Sequence, residues 1–283
     1  MLGVPLVGCA SHRFNLATKT FLAEREDLVD AVSALMVALR TIKNRAELRR
    51  HTSLAPLRAN ATRWSSTFIM LERYVRIRDA IKRVDAVYDL VPKPAAHRRI
   101  VALVESLKMF NSVCKKLQEE SISMKSVRLL FGKMAEMFPV TDHYLHPDAE
   151  IVHSPVFESA VVKVSRGTEA DLTPQESQAL EPFQLEAAAT EPAASSRGSR
   201  ARTRARSAED FATALLQSRP APEQVAPRYK PIVATIPPTS NLCERLFSQC
   251  KLVMTPHRAS LLPMNFEMSY FCGLTVSSGM QIR

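Results

Sequence analysis

Apolar side chains recur every three or four residues over much of the first 140 positions, which is the spacing of one face of an α-helix. Within residues 12–50 this face is formed by Leu28, Val32, Leu35, Leu39 and Ile42. The pattern predicts a helix that ends before Pro56, because proline disrupts a helix interior. The basic cluster Arg45–Arg50 suits the negative end of that helix's dipole.

Three further helices are predicted by the same spacing. The first begins near Ser65 and ends at Pro92. The second follows directly and has its last apolar position at Leu117, and the third ends before Pro139. Their apolar faces are, in order, Met70, Tyr74, Ile77, Ile81, Val84 and Tyr88; Ile100, Leu103, Leu107, Phe110, Cys114 and Leu117; and Val127, Leu130, Phe131, Met134 and Met137. The middle of the chain is therefore expected to be a helical bundle, and the fold class mainly α.

The composition changes at about residue 167, where Pro, Ala, Glu, Ser and Arg become dominant. Such a segment buries too little apolar surface to offset the entropy of ordering, so residues 167–230 are expected to be a disordered linker. A short helix is expected within it, because Thr173, Pro174 and Glu176 stand at the spacing of a capping box. After Pro238 one more helical face is marked by Leu242, Leu246, Cys250 and Val253.

Charge and composition narrow the class of function. The 283 residues include 38 Lys and Arg against 28 Asp and Glu, and this formal charge of +10 favours an anionic partner, with nucleic acid first. No apolar stretch approaches a membrane span, so a soluble intracellular protein without a membrane partner is expected. The seven glycines form no phosphate-binding loop, and the five scattered cysteines offer no zinc spacing. These features argue against a nucleotide-binding or zinc-dependent enzyme.

Three local motifs are candidates for chemistry, each with a structural alternative. Cys9 and His12 form C-x-x-H, which is half of a metal site or simple packing. Trp64 follows Arg63 and either stacks on a base beside a bound phosphate or staples the entry of a helix. Glu244 lies in a predicted first turn, where Asn241 would be the N-cap and the glutamate its reciprocal partner, without any catalysis.

Five arginines stand within ten residues of the predicted linker. The tract consists of Arg197, Arg200, Arg202, Arg204 and Arg206. Mutual repulsion prevents such a segment from folding alone. It is a candidate for binding nucleic acid or an import receptor, and the alternative is a solvated basic linker.

Three blocks of sequence, in this order, resemble the hAT superfamily of DNA transposases. They are Gly8–Leu16, then Thr62–Thr67 with Met70–Arg73, and finally Pro237–Ser248 with Arg258, Leu262, Pro263 and Phe266–Met268. The resemblance implies an RNase H-like α/β core interrupted by a helical insertion domain. It divides the chain into a core remnant at 1–60, an insertion domain at 61–166, the linker at 167–230 and a truncated dimerisation region at 231–283.

The resemblance also assigns roles to individual residues. Glu244 matches the third acidic residue of a catalytic triad, Trp64 a tryptophan near the transposon end, and Cys9 with His12 a motif after the second catalytic aspartate. Arg63 and the arginine tract join Trp64 as DNA-binding candidates. The dimerisation candidates are Leu242, Leu246, Phe247, Phe266, Met268 and Phe271.

The sequence departs from the family pattern at the other two triad positions. Both aspartates would precede Cys9, and the eight residues before it contain no Asp or Glu. A lone glutamate cannot hold the Mg²⁺ or Mn²⁺ pair that intact relatives use. The expectation is a nuclear, catalytically inactive protein without a metal or cofactor, which forms homo-oligomers or binds related transposase chains. The alternatives are a DNA-binding module and an active DDE transposase of which this is a segment.

Overall fold

The computed structural model describes residues 5–60, 64–185, 210–217 and 228–253, with side chains up to Ser248 in the last segment. The regular elements of these segments are all helical, which confirms the mainly α fold class. Within them the only β pairing is an isolated bridge between Gln184 and Tyr229, so no strand of an RNase H-like remnant occurs in this part of the chain.

Twelve α-helices are present in the described segments. They are α1 Ala10–Ala23, α2 Glu26–Ala38, α3 Ile42–Arg49, α4 Trp64–Ile81, α5 Pro94–Leu117, α6 Met124–Met137, α7 Asp142–Leu145, α8 Pro155–Arg166, α9 Pro174–Ala179, α10 Phe211–Gln217, α11 Ile232–Thr235 and α12 Asn241–Val253. Short 3₁₀ turns occur at Asp85–Leu90, Pro139–Thr141, Glu169–Asp171 and Glu181–Phe183. None of the described helices combines the length and apolarity needed to cross a membrane.

The helix predicted over residues 12–50 is three helices. The chain leaves helical geometry at Arg25 and again at Thr41, whose ψ of 152° is extended. At the second break Thr41 Oγ1 and Asn44 Nδ2 donate to the Ala38 carbonyl at 3.1 and 2.9 Å. Polar side chains that bond the backbone in this way compete with helix continuation, which the apolar spacing alone did not reveal.

The helix expected to run to Pro92 ends at Ile81. Val84 is extended and a 3₁₀ turn, Asp85–Leu90, follows it. Val84 and Val87 are buried whereas Tyr88 is exposed, so the chain turns to bury the two valines rather than continuing the predicted face.

Aromatic side chains fill the centre of the bundle around α5. The ring of Phe110 lies 4.6 Å from that of Phe21 and 4.9 Å from that of Phe138, centroid to centroid, and Phe14 lies 6.0 Å from Phe131. Because α1 packs against α4, α5 and α7, the segments expected as separate domains at 1–60 and 61–166 share one core.

The described residues up to Pro238 form one compact unit, and those from Thr239 form a second. Within the first unit a smaller apolar cluster surrounds α8, which packs against α6, α9 and α11. Its members include Phe157, Val161, Leu180, Tyr229 and Val233. Helix α8 ends at Gly167, whose φ of 75° suits a residue without a Cβ.

Two helices lie within the predicted linker. Helix α9 carries the capping box of Thr173 and Glu176, which confirms that prediction, and it ends at Ala179. Helix α10 packs against α5 and α6, and its Ala212 amide donates to the buried Ser112 Oγ at 2.8 Å. The remaining linker positions, 186–209 and 218–227, lie outside the described residues.

The Glu176 carboxylate is the centre of a polar cluster that joins α8 to α9. Lys163 Nζ and the Thr173 amide each donate to Oε2 at 2.7 Å, and Ser159 Oγ donates to Oε1 at 2.7 Å. Burial alone would raise the pKa of Glu176, but these hydrogen bonds and the charge of Lys163 outweigh it and lower the pKa from 4.5 to about 2.

We expect Glu176→Gln to destabilise the protein by roughly 1–3 kcal/mol at pH 7, since it removes the charge bound by Lys163, the Ser159 hydroxyl and the Thr173 amide. A carboxylate with a lowered folded-state pKa stabilises above pH 4.5, and this contribution is lost as the pH falls towards 2. Urea unfolding followed by circular dichroism should therefore show a difference that shrinks from pH 7 to pH 3.5. The exposed Glu150→Gln serves as the control, and a pH-independent difference for Glu176→Gln would contradict the assignment.

Candidate functional site

Helix α12, Asn241–Val253, exposes large apolar side chains in the second unit. Leu242 is 57% exposed and Phe247 is 73% exposed, while Leu246 is half-buried. Leu242 and Leu246 are one helical turn apart and share a face, whereas Phe247 projects about 100° away from Leu246 around the helix. The predicted helix is thus present, and three of the predicted dimerisation residues lie on it.

Glu244 lies in the first turn of α12 and is engaged in helix initiation. Its amide donates to the Ser240 carbonyl at 2.9 Å, and Ser240 Oγ donates to Glu244 Oε1 at 2.9 Å. Because the helix begins at Asn241, Ser240 occupies the position before the first turn that the sequence analysis gave to Asn241. These contacts engage the carboxylate at the start of the helix, but they are not the reciprocal bonds of a capping box, in which each side chain accepts from the other residue's amide.

Cys9 and His12 stand at the start of α1. Cys9 is the half-buried residue before the helix and His12 is exposed in its first turn. The Cys9 carbonyl accepts from the His12 and Arg13 amides at 3.1 and 3.2 Å. Across the described segments no group of three or more His, Cys, Asp or Glu side chains is arranged to hold a metal ion. The pair contributes helix-start geometry here.

Trp64 is the first residue of α4, and its side chain is only 7% exposed. It belongs to the main apolar cluster, an arrangement that fits the packing alternative. Stacking on a base would require the indole to leave this cluster. Nine other candidate residues lie outside the described residues, namely Arg63, Arg197, Arg200, Arg202, Arg204, Arg206, Phe266, Met268 and Phe271.

A buried ionic cluster links α1, α6 and α8, and no sequence pattern indicated it. Arg13 Nη1 lies 3.4 Å from Glu158 Oε2, and both side chains are 4% exposed. Arg128 Nη2 lies 3.8 Å from the same oxygen. Burial lowers the pKa of both Arg13 and Arg128, and the Glu158 charge opposes that shift. Both guanidinium groups nevertheless remain charged at neutral pH.

Arg13 also closes the C-terminal end of α7. Its Nε donates to the Tyr144 carbonyl at 3.2 Å and its Nη2 to the His146 carbonyl at 3.0 Å. The last carbonyls of a helix have no partner within the helix, so a cation is favourable there. The guanidinium also lies 5.4 Å from the centre of the Phe131 ring. One side chain thereby fixes α1 against α6, α7 and α8.

A tyrosine–histidine contact joins α4 to α5. The Tyr74 hydroxyl lies 3.3 Å from His97 Nδ1. Burial raises the pKa of Tyr74. Burial, with the charges of Arg78 and Lys82, lowers the pKa of His97. Both groups are therefore neutral at pH 7, and the contact is a hydrogen bond between helices rather than a charged acid–base pair.

We expect Glu158→Gln to lower the free energy of unfolding by roughly 2–4 kcal/mol, because it leaves the buried Arg13 guanidinium without its counter-charge and removes the nearer carboxylate of the half-buried Arg128. Arg13 keeps its carbonyl partners, which limits the loss. Chemical denaturation at pH 7 measures the difference. The control is Glu136→Gln, which breaks an exposed pair with Lys133 and should change stability by less than about 1 kcal/mol. Equal effects of the two substitutions would refute the buried cluster's contribution.

Comparison with known proteins adds no family assignment. No family model matches the chain, and no curated protein matches it. The likeness to hAT transposases therefore rests on the residues quoted from the sequence.

Proposed function

We propose that this chain is a relative of the hAT transposases that acts by associating with a second copy of itself through α12. The observation that carries the proposal is the exposure of Leu242 and Phe247 on a helix of the second unit. The likeness of Pro237–Ser248 to the family's dimerisation region supports the choice of a second copy as partner. A related transposase chain with the same helix would be an equivalent binding partner.

Burial of these side chains favours association. Complete burial of a leucine or phenylalanine side chain contributes about 1.5–3 kcal/mol. A two-fold symmetric pair would bury both side chains from each copy, since the same patch then meets itself. Four such groups, with the half-buried Leu246 between them on each helix, would contribute the apolar centre that a stable interface requires.

The proposed activity of the chain is protein binding rather than phosphodiester cleavage. Its support is the hydrogen bond from Ser240 Oγ, which gives the Glu244 carboxylate a structural partner at the start of α12. Descent of residues 1–60 from an RNase H-like core, nuclear localisation and the absence of a cofactor are proposals with the resemblance alone as support.

The test is the oligomeric state of the unmodified chain and of Leu242→Ser/Phe247→Ser by size-exclusion chromatography with light scattering. We expect a dimer at tens of micromolar for the unmodified chain and at least about a tenfold weaker dimer for the variant, because each truncated apolar anchor contributes on the order of 1 kcal/mol or more.

The matched control is Leu6→Ser/Tyr88→Ser, which removes two side chains of similar exposure, 68% and 70%, from the first unit. It should dimerise as the unmodified chain does. A monomer throughout the concentration range, or the same loss in both variants, would refute association through α12.

A further inference from the structure

Helix α10 lies within a long connection, residues 186–227, whose two ends are joined to each other. The Leu185 amide donates to the Arg228 carbonyl at 3.1 Å, and the Lys230 amide donates to the Phe183 carbonyl at 2.8 Å. These backbone hydrogen bonds hold the two ends together in the first unit whether or not α10 is docked on the bundle.

Helix α10 docks on α5 and α6 through apolar side chains, most of which are only half-buried. Ala212 is fully buried in the main apolar cluster. Phe211, Leu215 and Leu216 are half-buried against that cluster. A seven-residue helix is too short to be stable alone in water, so α10 is helical because it is docked. Half-burial recovers only part of the apolar free energy, and ordering the segment costs entropy, so α10 can undock as a unit while α5 and α6 stay packed.

The surface of α5 that α10 covers carries a buried hydroxyl group. Ser112 is 2% exposed, and its Oγ accepts from the Ala212 amide at 2.8 Å. That amide is in the first turn of α10, where an amide has no carbonyl partner within its own helix. A buried hydroxyl costs free energy unless it is hydrogen-bonded, so Ser112 favours one register, in which a first-turn amide of the docked helix faces its Oγ.

The sequence of α10, FATALLQ, defines the kind of segment that this surface fits. A small residue, Ala212, allows the backbone to approach Ser112, and large apolar residues stand one position before it and three and four positions after it. At helical spacing these four residues lie on one side of the helix, and the exposed Ala214 and Gln217 lie on the other. The surface therefore fits a short amphipathic helix with this pattern.

We propose that the surface of α5 and α6 beneath α10 is a docking site for a short amphipathic helix of another protein, with α10 as its internal competitor. The docked α10 identifies the chemistry of the partner: a small residue at the position of Ala212 and apolar residues at the positions of Phe211, Leu215 and Leu216. This is helix-in-groove recognition, in which a few apolar anchors on one helix face provide the contact. The site lies in the first unit and does not depend on the proposed association through α12.

The experiment measures binding of a labelled peptide of residues 209–218 by fluorescence anisotropy. The peptide carries Ala214→Lys at an exposed position, which gives it a distinct mass. It is added to the unmodified chain and to Phe211→Ser/Leu215→Ser, in which α10 loses two of its apolar anchors. We expect the variant to bind the peptide at least about tenfold more tightly, because tethered α10 competes in the unmodified chain at an effective concentration on the order of millimolar.

Circular dichroism and urea unfolding establish that the variant retains the helical bundle. Equal affinity of the two chains would place the peptide elsewhere on the molecule and overturn the proposal. Failure of the folded variant to bind the peptide would overturn it as well.

Hydrogen exchange of the unmodified chain gives a second measurement that needs no variant. At peptide concentrations on the order of millimolar, displacement should make residues 211–217 exchange at least about tenfold faster, while the exchange of α5 stays the same. The control peptide carries Phe211→Ser/Leu215→Ser and should leave the exchange of α10 unchanged. Exchange of α10 that is the same with and without the first peptide would contradict displacement.

Ser112→Ala, introduced into the Phe211→Ser/Leu215→Ser chain, tests the register of docking. We expect peptide affinity to fall by at least about fivefold, because a buried amide of the peptide loses its acceptor. The matched control is Ser106→Ala on the same helix, since Ser106 Oγ donates to the Ala102 carbonyl of α5 at 3.2 Å. It should change affinity by less than about twofold. Equal losses would refute the role of Ser112.

Exchange of α10 between two copies of the chain is the competing occupant of the same surface. It is tested by mixing tagged and untagged Leu242→Ser/Phe247→Ser chains and isolating the tagged one. Mixed particles that form in this variant and disappear when Phe211→Ser/Leu215→Ser is added would assign the surface to a second copy and overturn the proposal. Loss of the dimer in the α12 variant, with peptide binding retained, would bear on the association through α12 alone.

Discussion

Glu158 places one carboxylate between two guanidinium groups in the interior, and this charge balance restricts how the helices can pack. Arg13 is on α1, Arg128 on α6 and Glu158 on α8, so the cluster stands where the main aromatic core meets the smaller cluster around α8. Desolvation of an ion costs several kcal/mol unless a partner lies close by. A shift of α8 would leave the buried Arg13 cation without its anion, whereas a shift of purely apolar helices could be absorbed by repacking.

Charged side chains on the surface contribute less to stability than this buried cluster does. Lys108 of α5 pairs with Glu105 and Lys133 of α6 with Glu136, and such exposed pairs have little effect on stability. Arg45 and Arg49 of α3 have no ion-pair partner among the described residues and repel each other as like charges at i, i+4.

The sequence was informative where one element's own pattern decides the structure. Helices α5 and α6 were predicted because their apolar faces are long and regular, and the capping box of α9 because Thr173 and Glu176 act within one turn. The breaks at Arg25 and Thr41 were missed because the apolar stripe continues across them. Helix α10 was missed because seven residues are too few to show a period, and its stability comes from docking on α5 and α6.

The candidate site was predictable to a similar extent. The face of α12 follows from the spacing of Leu242 and Leu246, but the exposure of Phe247 depends on what packs around the helix. The pairing of Arg13 with Glu158 joins residues 145 positions apart, and no local pattern specifies such a contact.

The docking of α10 changes what a break in the backbone would do to the molecule. Residues on both sides of the segment 186–209 are held in the first unit, by α9 before it and by the Ala212–Ser112 hydrogen bond and Tyr229 after it. A single proteolytic cut in that segment would therefore yield two polypeptides that remain together as one particle under native conditions and separate only in denaturant. The same position is suited to the insertion of a reporter peptide, since the contacts on either side do not depend on a continuous chain between them.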